Sequence, residues 1–389
     1  MNILFLDWPC FGKIDAIFSL QQAGHNLTMF FHDNYQDRIS TSFDTYFAGI
    51  ATQKKFDFCF SFNFYPVLSE NCKKHCLKYV SIVYDSPYVA LYSYTIINPN
   101  NYIFIFDSQE YLKLQKMGIS TVHYLPLPVN ATIIDFLQKK GFNRKKSTCD
   151  VSFVGALYNE DHNFFERLTG VNDYTRGYLD AIMEAQIKIY GYNFIEDALT
   201  PNIISELKRV ADYGTDAYGI ETAEYIYANY FIARKITSID RQRTLTAIAK
   251  KFPLKLFTLN KDAVIPNALN MGAVDYYSEM PYVFANSKIN LNITLRSIQS
   301  GIPLRAMDIM GAGGFLLTNY QADFLNYFVP DEDFVYYTDI DDLLQKIDYY
   351  LHHEDRRKQI AKNGHQKVKE NHNFDKCFKE IFSIVFQHD

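Results

Sequence analysis

Short, wholly apolar runs alternate with amphipathic stretches through the first third of the chain. The amphipathic stretches include residues 13–23 and the segment that ends at Gly118. Strands that are apolar on both faces are typical of parallel sheets covered by helices on each side. The alternation therefore predicts a doubly wound α/β half, with strands at residues 2–6, 27–31, 56–62, 79–85, 101–107 and 121–129.

Four of these runs end at a polar side chain, namely Asp7, Asn63, Asp85 and Asp107. Ligands of open parallel sheets bind beyond the carboxyl ends of the strands, so we interpret the four ends together as one functional rim. For each residue taken alone, a turn or helix-capping role is the alternative. Pro87 disfavours helix at Ser86, which predicts that the Asp85 carboxylate points outward from its strand tip.

The same pattern restarts after a polar, basic stretch at residues 141–150, which we interpret as a linker between domains. Residues 159–250 are mostly helical in pattern and predict a helical insertion. The sequence thus predicts a Rossmann-like domain at 1–145, a second at 146–372, and a C-terminal helix within 373–389. Strands of the second domain are predicted at residues 150–158, 254–260, 274–279, 289–295 and 313–320.

Length and composition agree with two folded domains. The chain has 389 residues, of which 48% are hydrophobic and 21% charged, and these values exclude a disordered or low-complexity protein. The net charge of -5 gives no general attraction for nucleic acid or for an anionic membrane, so we predict no nucleic-acid partner.

Cysteine usage and the first residues indicate the compartment. The six cysteines are too sparse for a disulfide framework, which predicts reduced thiols. The apolar start breaks at Asp7 and Pro9 without the basic segment of a signal peptide, and no run is long enough to span a membrane. We therefore expect a cytoplasmic protein. The 30 Tyr and 32 Phe beside one Trp are interpreted as codon bias, with sugar stacking as the alternative.

Several familiar motifs are missing or have simpler explanations. The chain contains no G-x-G-x-x-G, no P-loop and no G-x-S-x-G. Asp339 and Asp341 form a D-x-D pair of the kind that holds a divalent cation. However, they open a helical pattern that Thr338 can cap, and we favour the capping interpretation. We predict no bound metal.

One segment, residues 287–328, carries the clearest candidate chemistry. A strand leads into a polar loop and then into a helix that is predicted to begin near Leu304. A helix N-terminus with Arg305 beside it is suited to a diphosphate, and Asp308, one turn further on, to two ribose hydroxyls. Gly313 and Gly314 let the backbone approach a ligand or the sheet closely. The alternatives are a plain helix C-cap for the glycines and a buried structural acid for Asp308.

The stretch G-I-P-L-R-A-M-D-I-M-G-A-G-G-F-L-L-T-N at residues 301–319 resembles the GT-B glycosyltransferases. It is specifically similar to the spore-maturation CgeB-like branch of the bacterial group 1 transferases. Further likeness lies in DVSFVGALYNE (150–160), in YYSEMPYVFANSKINLNITL (276–295) and in the tail at 354–374. The resemblance covers nearly the whole chain and is most specific from about 274 to 374.

This resemblance implies an α/β fold of two Rossmann-like domains facing across a cleft. The sugar nucleotide is expected on the second domain, the acceptor on the first, and the last helix against the first domain. In the family, an E-x7-E pair contacts sugar and ribose. Its second acid corresponds to Asp308 here, whereas the first corresponds to Ser300. The arginine that often follows the glycine of the first loop is replaced by Ala156.

Donor-binding candidates follow from the helix and from the likeness together. Arg305 is the first candidate for the missing positive charge, with Arg296 and Lys288 as weaker ones. The full predicted donor set is Gly155, Tyr277, Arg296, Ser300, Gly301, Arg305, Asp308, Gly313 and Gly314.

The resemblance implies a metal-independent glycosyltransferase that uses a UDP-sugar or a related donor. Asp85 and Arg305 are its predicted catalytic residues, and Asp7, Asn63, Asp85 and Asp107 form the acceptor-side rim. The acceptor is left open among a glycan, a protein side chain and a small molecule. Two alternatives stay open: a sugar-nucleotide epimerase of the same fold, and a non-catalytic spore-coat or surface-assembly protein.

Overall fold

The computed structural model describes residues 1–137, 148–159, 163–213 and 216–387. The chain divides into two compact units. The first consists of Met1–Pro128, Thr215–Thr222 and His372–Asp389, and the second of Val129–Gly214 and Ala223–Asn371. The predicted domain boundary at 145/146 and most of the predicted linker lie outside the described residues.

The first unit is built on a six-stranded parallel sheet in the order β2-β1-β3-β4-β5-β6. Its strands are β1 Asn2–Leu6, β2 Asn26–Phe30, β3 Phe58–Phe62, β4 Lys78–Val83, β5 Asn101–Ile105 and β6 Val122–Tyr124. Its helices are α1 Lys13–Gln22, α2 Thr41–Ala51, α3 Pro66–Lys74, α4 Ser108–Lys116 and the C-terminal helix Phe374–Val385. Every residue of β3 is buried, as expected for a strand covered on both faces.

The C-terminal helix belongs to this first unit and packs on its central strands. The Phe378 ring lies 5.7 Å from that of Phe60, and the Phe382 ring lies 5.7 Å from that of Phe58. Residues 216–222, inside the stretch predicted as an insertion, also belong here. Glu221 is almost fully buried and pairs with Arg38 at 2.8 Å. These contacts explain why two segments distant in sequence complete the first unit.

The second unit repeats the architecture with a parallel sheet in the order β12-β11-β10-β7-β8-β9. Its strands are β7 Cys149–Val154, β8 Leu254–Phe257, β9 Leu269–Asn270, β10 Ser287–Asn292, β11 Leu316–Asn319 and β12 Val335–Tyr337. Its helices are α5 Ile133–Leu137, α6 Asp173–Ile187, α7 Ile195–Ala198, α8 Pro201–Val210, α9 Ala223–Ile226, α10 Ala233–Ala249, α11 Met280–Asn286, α12 Leu304–Gly311, α13 Ile340–His352 and α14 Glu354–Asn371. Two doubly wound α/β halves are therefore confirmed. None of the described helices is both long and apolar enough to cross a bilayer.

The strand predicted at residues 274–279 is wrong. Those residues form a turn that begins α11: the Asp275 carboxylate accepts from the Ser278 backbone N–H at 2.8 Å, and the Asp275 carbonyl accepts from the Met280 N–H at 2.9 Å. Pro281 stands in the first turn of the helix, where its missing N–H costs nothing. The edge strand is instead β9, which is only two residues long.

The predicted helical insertion is helical in its described part and has its own apolar core. A π-helical turn at Tyr227–Ile232 joins α9 to α10. Such turns shift the register of a helix and often occur near functional sites. Here the turn immediately precedes a helix that carries Arg234, Asp240 and Arg241 toward the sheet of this unit.

Gly314 is expected to be essential for packing. A Cβ at this position would lie 2.7 Å from the Asn290 amide nitrogen and 2.8 Å from the Phe284 carbonyl oxygen. Because the backbone must move to relieve this overlap, we expect Gly314→Ala to lower the free energy of unfolding by about 1–3 kcal/mol in urea denaturation.

Gly177 is the matched control, since it lies within α6 and a Cβ there meets nothing within 4 Å. Gly177→Ala is expected to stabilise the protein by up to about 1 kcal/mol. Equal effects of the two substitutions would contradict this account of Gly314.

Candidate functional site

In the second unit, the carboxyl ends of β7 and β10 lead into loops that carry four of the nine predicted donor residues, and α12 carries two more. The loop after β10 ends at Pro303, which precedes the first turn of α12 as predicted. Two hydrogen bonds from the segment after β11 fix this loop. The Ser300 carbonyl accepts from the Asp323 N–H at 3.0 Å, and the Gly301 carbonyl accepts from the Gln321 side chain at 3.3 Å. The N-terminus of α12 is therefore presented by a fixed loop.

Asp308 is the centre of this region. Its side chain is only 5% exposed, and it accepts a hydrogen bond from the Tyr276 hydroxyl at 2.9 Å. Arg305, one turn earlier on α12, pairs with its other carboxylate oxygen at 3.3 Å. The sequence had singled out Tyr277, whereas the residue that contacts the acid is its neighbour Tyr276. These two contacts fix the position of the buried carboxylate.

Arg305 is about a quarter exposed and lies over the Phe284 ring at 5.7 Å. It also contacts the Met280 sulfur. The guanidinium thus lies beside Asp308 at the start of α12, where the helix dipole adds positive potential. Of the three predicted cations, Arg305 lies in the first turn of α12, as its place in the sequence predicts.

Arg296 and Lys288 occupy other environments. Arg296 forms a buried ion pair with Asp240 of α10 at 2.7 Å, and it lies 3.9 Å from the centre of the Tyr190 ring. Burial is the largest single influence and lowers the pKa of Arg296, but the attraction and hydrogen bond of Asp240 together with the effects of Tyr190 and Tyr337 outweigh it, so the pKa is raised. Lys288 is the second residue of β10 and pairs with Asp150 at 2.7 Å, at the amino ends of the strands. Lys288 therefore lies away from the loops at the carboxyl ends, whereas Arg296 belongs to the loop after β10 but is engaged by Asp240 and the carbonyls of Ile187 and Ile189.

Three of the predicted glycines have different structural roles. Gly155 directly follows β7, and its N–H donates to the Phe257 carbonyl at 3.1 Å. Gly313 has a φ of 75° just after α12, which is the usual helix-ending role of glycine. Gly314 approaches neighbouring backbone, as described above. The close approach at Gly314 is thus made to protein atoms.

Sequence reasoning missed two arginines of α10 that cover the Gly155 loop. Arg241 donates to the backbone carbonyls of Ala156 and Ile293, and so joins the loops after β7 and β10. Arg234, two turns earlier, is half-buried over the Tyr158 ring at 5.9 Å. The buried Arg234 Nε has no hydrogen-bond partner within the described part of the chain. The two arginines are seven residues apart on one helix, which places them on the same helix face. This spacing is the sequence pattern that could have indicated them.

In the first unit, Asn63 and Asp85 are joined at the tips of β3 and β4. The Asn63 amide donates to the Asp85 carboxylate at 2.8 Å, and the Asn63 side-chain oxygen accepts from the Tyr84 N–H at 2.9 Å. Asn63 adopts a φ of 59°, a left-handed conformation that asparagine tolerates better than most residues. Asn63 is thus buried and positions an exposed Asp85.

Asp7 and Asp107 stand at the neighbouring strand ends in different roles. Asp7 forms an ion pair with Lys13 at 2.6 Å. Asp107 is buried and caps α4, because its carboxylate accepts from the Gln109 and Glu110 N–H groups. Cys10 lies near Asp7 and Asp85. Burial, opposed by Lys13 and reinforced by both carboxylates, raises the pKa of Cys10 to about 12. The strand-end rim therefore contains a helix cap as well as outward-facing groups.

Asp339 belongs to a helix start, as the sequence interpretation favoured, but Asp339 itself is the cap of α13. Its carboxylate accepts from the Asp342 N–H at 2.8 Å. Thr338 does not cap the helix as expected; its own N–H donates to the Asp342 carboxylate at 3.0 Å. The described residues contain no group of three or more His, Cys, Asp or Glu side chains that could hold a metal ion.

Comparisons with known proteins give the class of fold. A family model described as "Glycosyl transferase-like" matches residues 241–383, which include α12, Arg305 and Asp308. A search of curated proteins finds no significant match. Among solved structures, Alr3699/HepE from Anabaena in complex with UDP-glucose matches with a TM-score of 0.52 and 10% identity, covering 100% of both chains.

Two further structures agree. A glycosyltransferase from Rickettsia africae matches with a TM-score of 0.50 and 10% identity, covering 100% of this chain and 99% of that one. Sucrose-phosphate synthase from Thermosynechococcus elongatus matches with the same score and identity, covering 100% of both chains. The chain has the GT-B fold of glycosyltransferases.

Proposed function

We propose that this protein is a glycosyltransferase that takes a sugar from a UDP-sugar or a related nucleoside-diphosphate sugar and transfers it without a metal ion. The observation that carries the proposal is the Asp308 site. An almost fully buried carboxylate lies in the second turn of α12, held by Tyr276 and Arg305, within the segment that the glycosyl transferase-like family model matches. The finer assignment to a CgeB-like branch is part of the proposal.

In this proposal Asp308 binds the ribose hydroxyls of the donor. A carboxylate can accept two hydroxyl hydrogen bonds, and charge-assisted bonds of this kind are about twice as strong as neutral ones. Tyr277, Ser300 and Gly301 line the same region and are proposed to contact the donor. The HepE structure in complex with UDP-glucose supports a uridine nucleotide as the first donor to test.

Positive charge for the diphosphate is proposed to come from Arg305 and Arg234. Arg305 lies at the helix N-terminus, where the dipole also favours an anion. Arg234 is half-buried beside Tyr158, just beyond the Gly155 loop where the family's arginine is replaced by Ala156. Fixed cations of this kind stabilise the charge that develops on the departing nucleotide. Arg296 has no role in this scheme beyond stabilising the unit.

Asp85 is proposed to orient or deprotonate an acceptor bound to the first unit. The Asn63 amide donates a hydrogen bond to one carboxylate oxygen of Asp85, and this bond fixes the orientation of the acid. A positioned general base needs this kind of restraint.

The epimerase and the non-catalytic alternatives gain no specific support from the geometry. A cytoplasmic location stays a prediction, and it is supported by six free thiols.

A thermal-shift panel of nucleotides tests the proposal. UDP, UMP, uridine and several UDP-sugars are compared on the full chain. A ligand at 100 times its Kd stabilises by about 2.7 kcal/mol, which is readily detected. We expect UDP and one or more UDP-sugars to raise the Tm more than uridine does, with and without EDTA. If none of the nucleotide sugars raises the Tm, the proposal is wrong.

Asp308→Asn is expected to weaken UDP binding by ten- to a few hundred-fold. The substitution keeps the shape and the bond from Tyr276 but removes the charge, and each charge-assisted hydrogen bond is worth about 1.5–3 kcal/mol. Calorimetric titration with UDP measures the effect. The control is Asp348→Asn on the exposed face of α13, which should bind UDP as the parent does. If the two variants bind equally well, Asp308 is not a donor ligand.

A further inference from the structure

The tip of β1 carries an aromatic cluster that the donor site does not use. The Trp8 and Tyr35 rings are stacked with centres 6.2 Å apart, and the Tyr65 ring meets both edge-on, at 6.2 and 5.0 Å. Phe31 extends the cluster, 5.7 Å from Tyr35. These rings come from β1, from the segment after β2 and from the start of α3, so the sheet itself brings them together.

This cluster differs from the hydrophobic core. Phe5 and Phe60, on the same strands, are 0% exposed, whereas Phe31 is 45% exposed and Trp8 and Tyr35 are half-buried. Trp8 is also satisfied as a donor, because its indole N–H binds the Phe62 carbonyl at 3.0 Å. The indole is thus fixed in place with part of its surface open to solvent.

Polar groups lie directly beside these rings. Phe62, which holds the Trp8 indole, precedes Asn63, and the Asn63 amide binds Asp85 at 2.8 Å. Cys10, two residues after Trp8, is close enough to Asp85 and Asp7 for their charges to raise its pKa, burial being the larger cause. This part of the unit therefore combines partly open aromatic rings with the exposed Asp85 carboxylate, while Asp7 is paired with Lys13 at 2.6 Å.

We propose that Trp8, Phe31 and Tyr35 form a platform for a sugar ring of a carbohydrate acceptor, with a ring hydroxyl directed to Asp85. This inference rests on the proposed function and names its acceptor class. A pyranose has C–H faces that pack on aromatic rings and hydroxyls that bind carboxylates and amides, so it matches both halves of the patch.

Other occupants fit less well. An acyl chain would cover the exposed Asp85 carboxylate with apolar atoms, and removing that charge from water is costly. A phosphorylated or otherwise acidic acceptor would be repelled by the exposed Asp85 carboxylate. The uncharged, hydroxyl-rich sugar avoids both penalties.

The single tryptophan provides a site-specific measurement. Because Trp8 is the only Trp of 389 residues, the tryptophan emission of the full chain reports on this patch alone. Methyl α-glucoside, methyl β-galactoside, N-acetylglucosamine and chitotriose are titrated, with 1-hexanol as the apolar probe. We expect at least one sugar to change the Trp8 emission saturably and hexanol to leave it unchanged.

Two variants locate the binding while keeping the reporter. Tyr35→Ala and Phe31→Ala each remove a ring and should weaken the sugar response by about 2- to 12-fold, the range for one aromatic contact. Tyr94→Ala, at an exposed tyrosine of the same unit, should leave it unchanged. Stabilisation by UDP, measured in parallel, shows that each variant is folded.

The outcomes separate this inference from the proposed function. Stabilisation by UDP without any sugar response, or a response to hexanol instead, would overturn the carbohydrate platform and leave the glycosyltransferase proposal intact. A sugar response in a protein that no nucleotide stabilises would overturn the acceptor assignment together with the proposed function. Equal responses of Tyr35→Ala and the parent would place the sugar elsewhere and overturn the platform.

Discussion

Asp85→Asn is expected to lower the rate of sugar transfer by about 10²–10⁴-fold while UDP binds as in the parent. The asparagine side chain has nearly the same shape but cannot take up the acceptor proton. The Asn63 amide positions the carboxylate through a hydrogen bond of 2.8 Å. Transfer is measured as labelled product, and UDP affinity is measured separately by calorimetry.

The control for this prediction is Asp44→Asn. Asp44 also belongs to the first unit and pairs with Lys74 at 2.9 Å, on the exposed surface. Its substitution should change neither transfer nor UDP affinity. Unchanged transfer in Asp85→Asn would remove Asp85 from the mechanism and would favour a reaction that needs no enzymic base.

Arg296→Met is expected to destabilise the protein by about 3–5 kcal/mol. It would leave Asp240 buried without its partner, and an uncompensated charge is among the largest single costs in a protein interior. Both side chains are 5% exposed, and Arg296 also donates to the carbonyls of Ile187 and Ile189. Urea denaturation monitored by circular dichroism measures the loss.

Two further variants give this prediction its controls. Arg243 lies on α10, the helix that also carries Asp240, and forms a surface ion pair with Glu184 in which each side chain is about half exposed. Arg243→Met should therefore cost no more than about 1 kcal/mol. The double variant Arg296→Met with Asp240→Leu replaces the whole pair by apolar groups and should recover much of the stability. A cost for Arg296→Met no larger than that for Arg243→Met would contradict a structural role.

Most of the strands could be predicted because each is covered on both faces and is therefore apolar at successive positions. β3 is the clearest example, with five buried residues in a row. β9 could not be predicted, since a two-residue edge strand has too few positions to form a pattern. The YYSE segment favoured a strand by composition, but the Asp275 turn and Pro281 begin a helix there.

The site was predictable where its chemistry is local. Arg305 and Asp308 lie one turn apart on one helix, so their proximity follows from the sequence. Arg296 could not be assigned, because its partner Asp240 is 56 residues away and meets it only in the folded unit. Asp85 and Asp107 both follow a strand. The helix that begins at Ser108 makes Asp107 a cap, whereas Pro87 prevents the same role for Asp85.

The fate of a labelled sugar tests the central claim most directly. The protein is incubated with UDP-glucose, UDP-galactose or UDP-N-acetylglucosamine, each carrying ¹³C in the sugar, and with the sugars that bind the Trp8 platform. Mass spectrometry then follows the label. The account predicts that the label leaves the nucleotide and appears in a glycosidic product, with UDP released in equal amount. Label that remains on the nucleotide, either as an epimer or in unchanged donor, would contradict it.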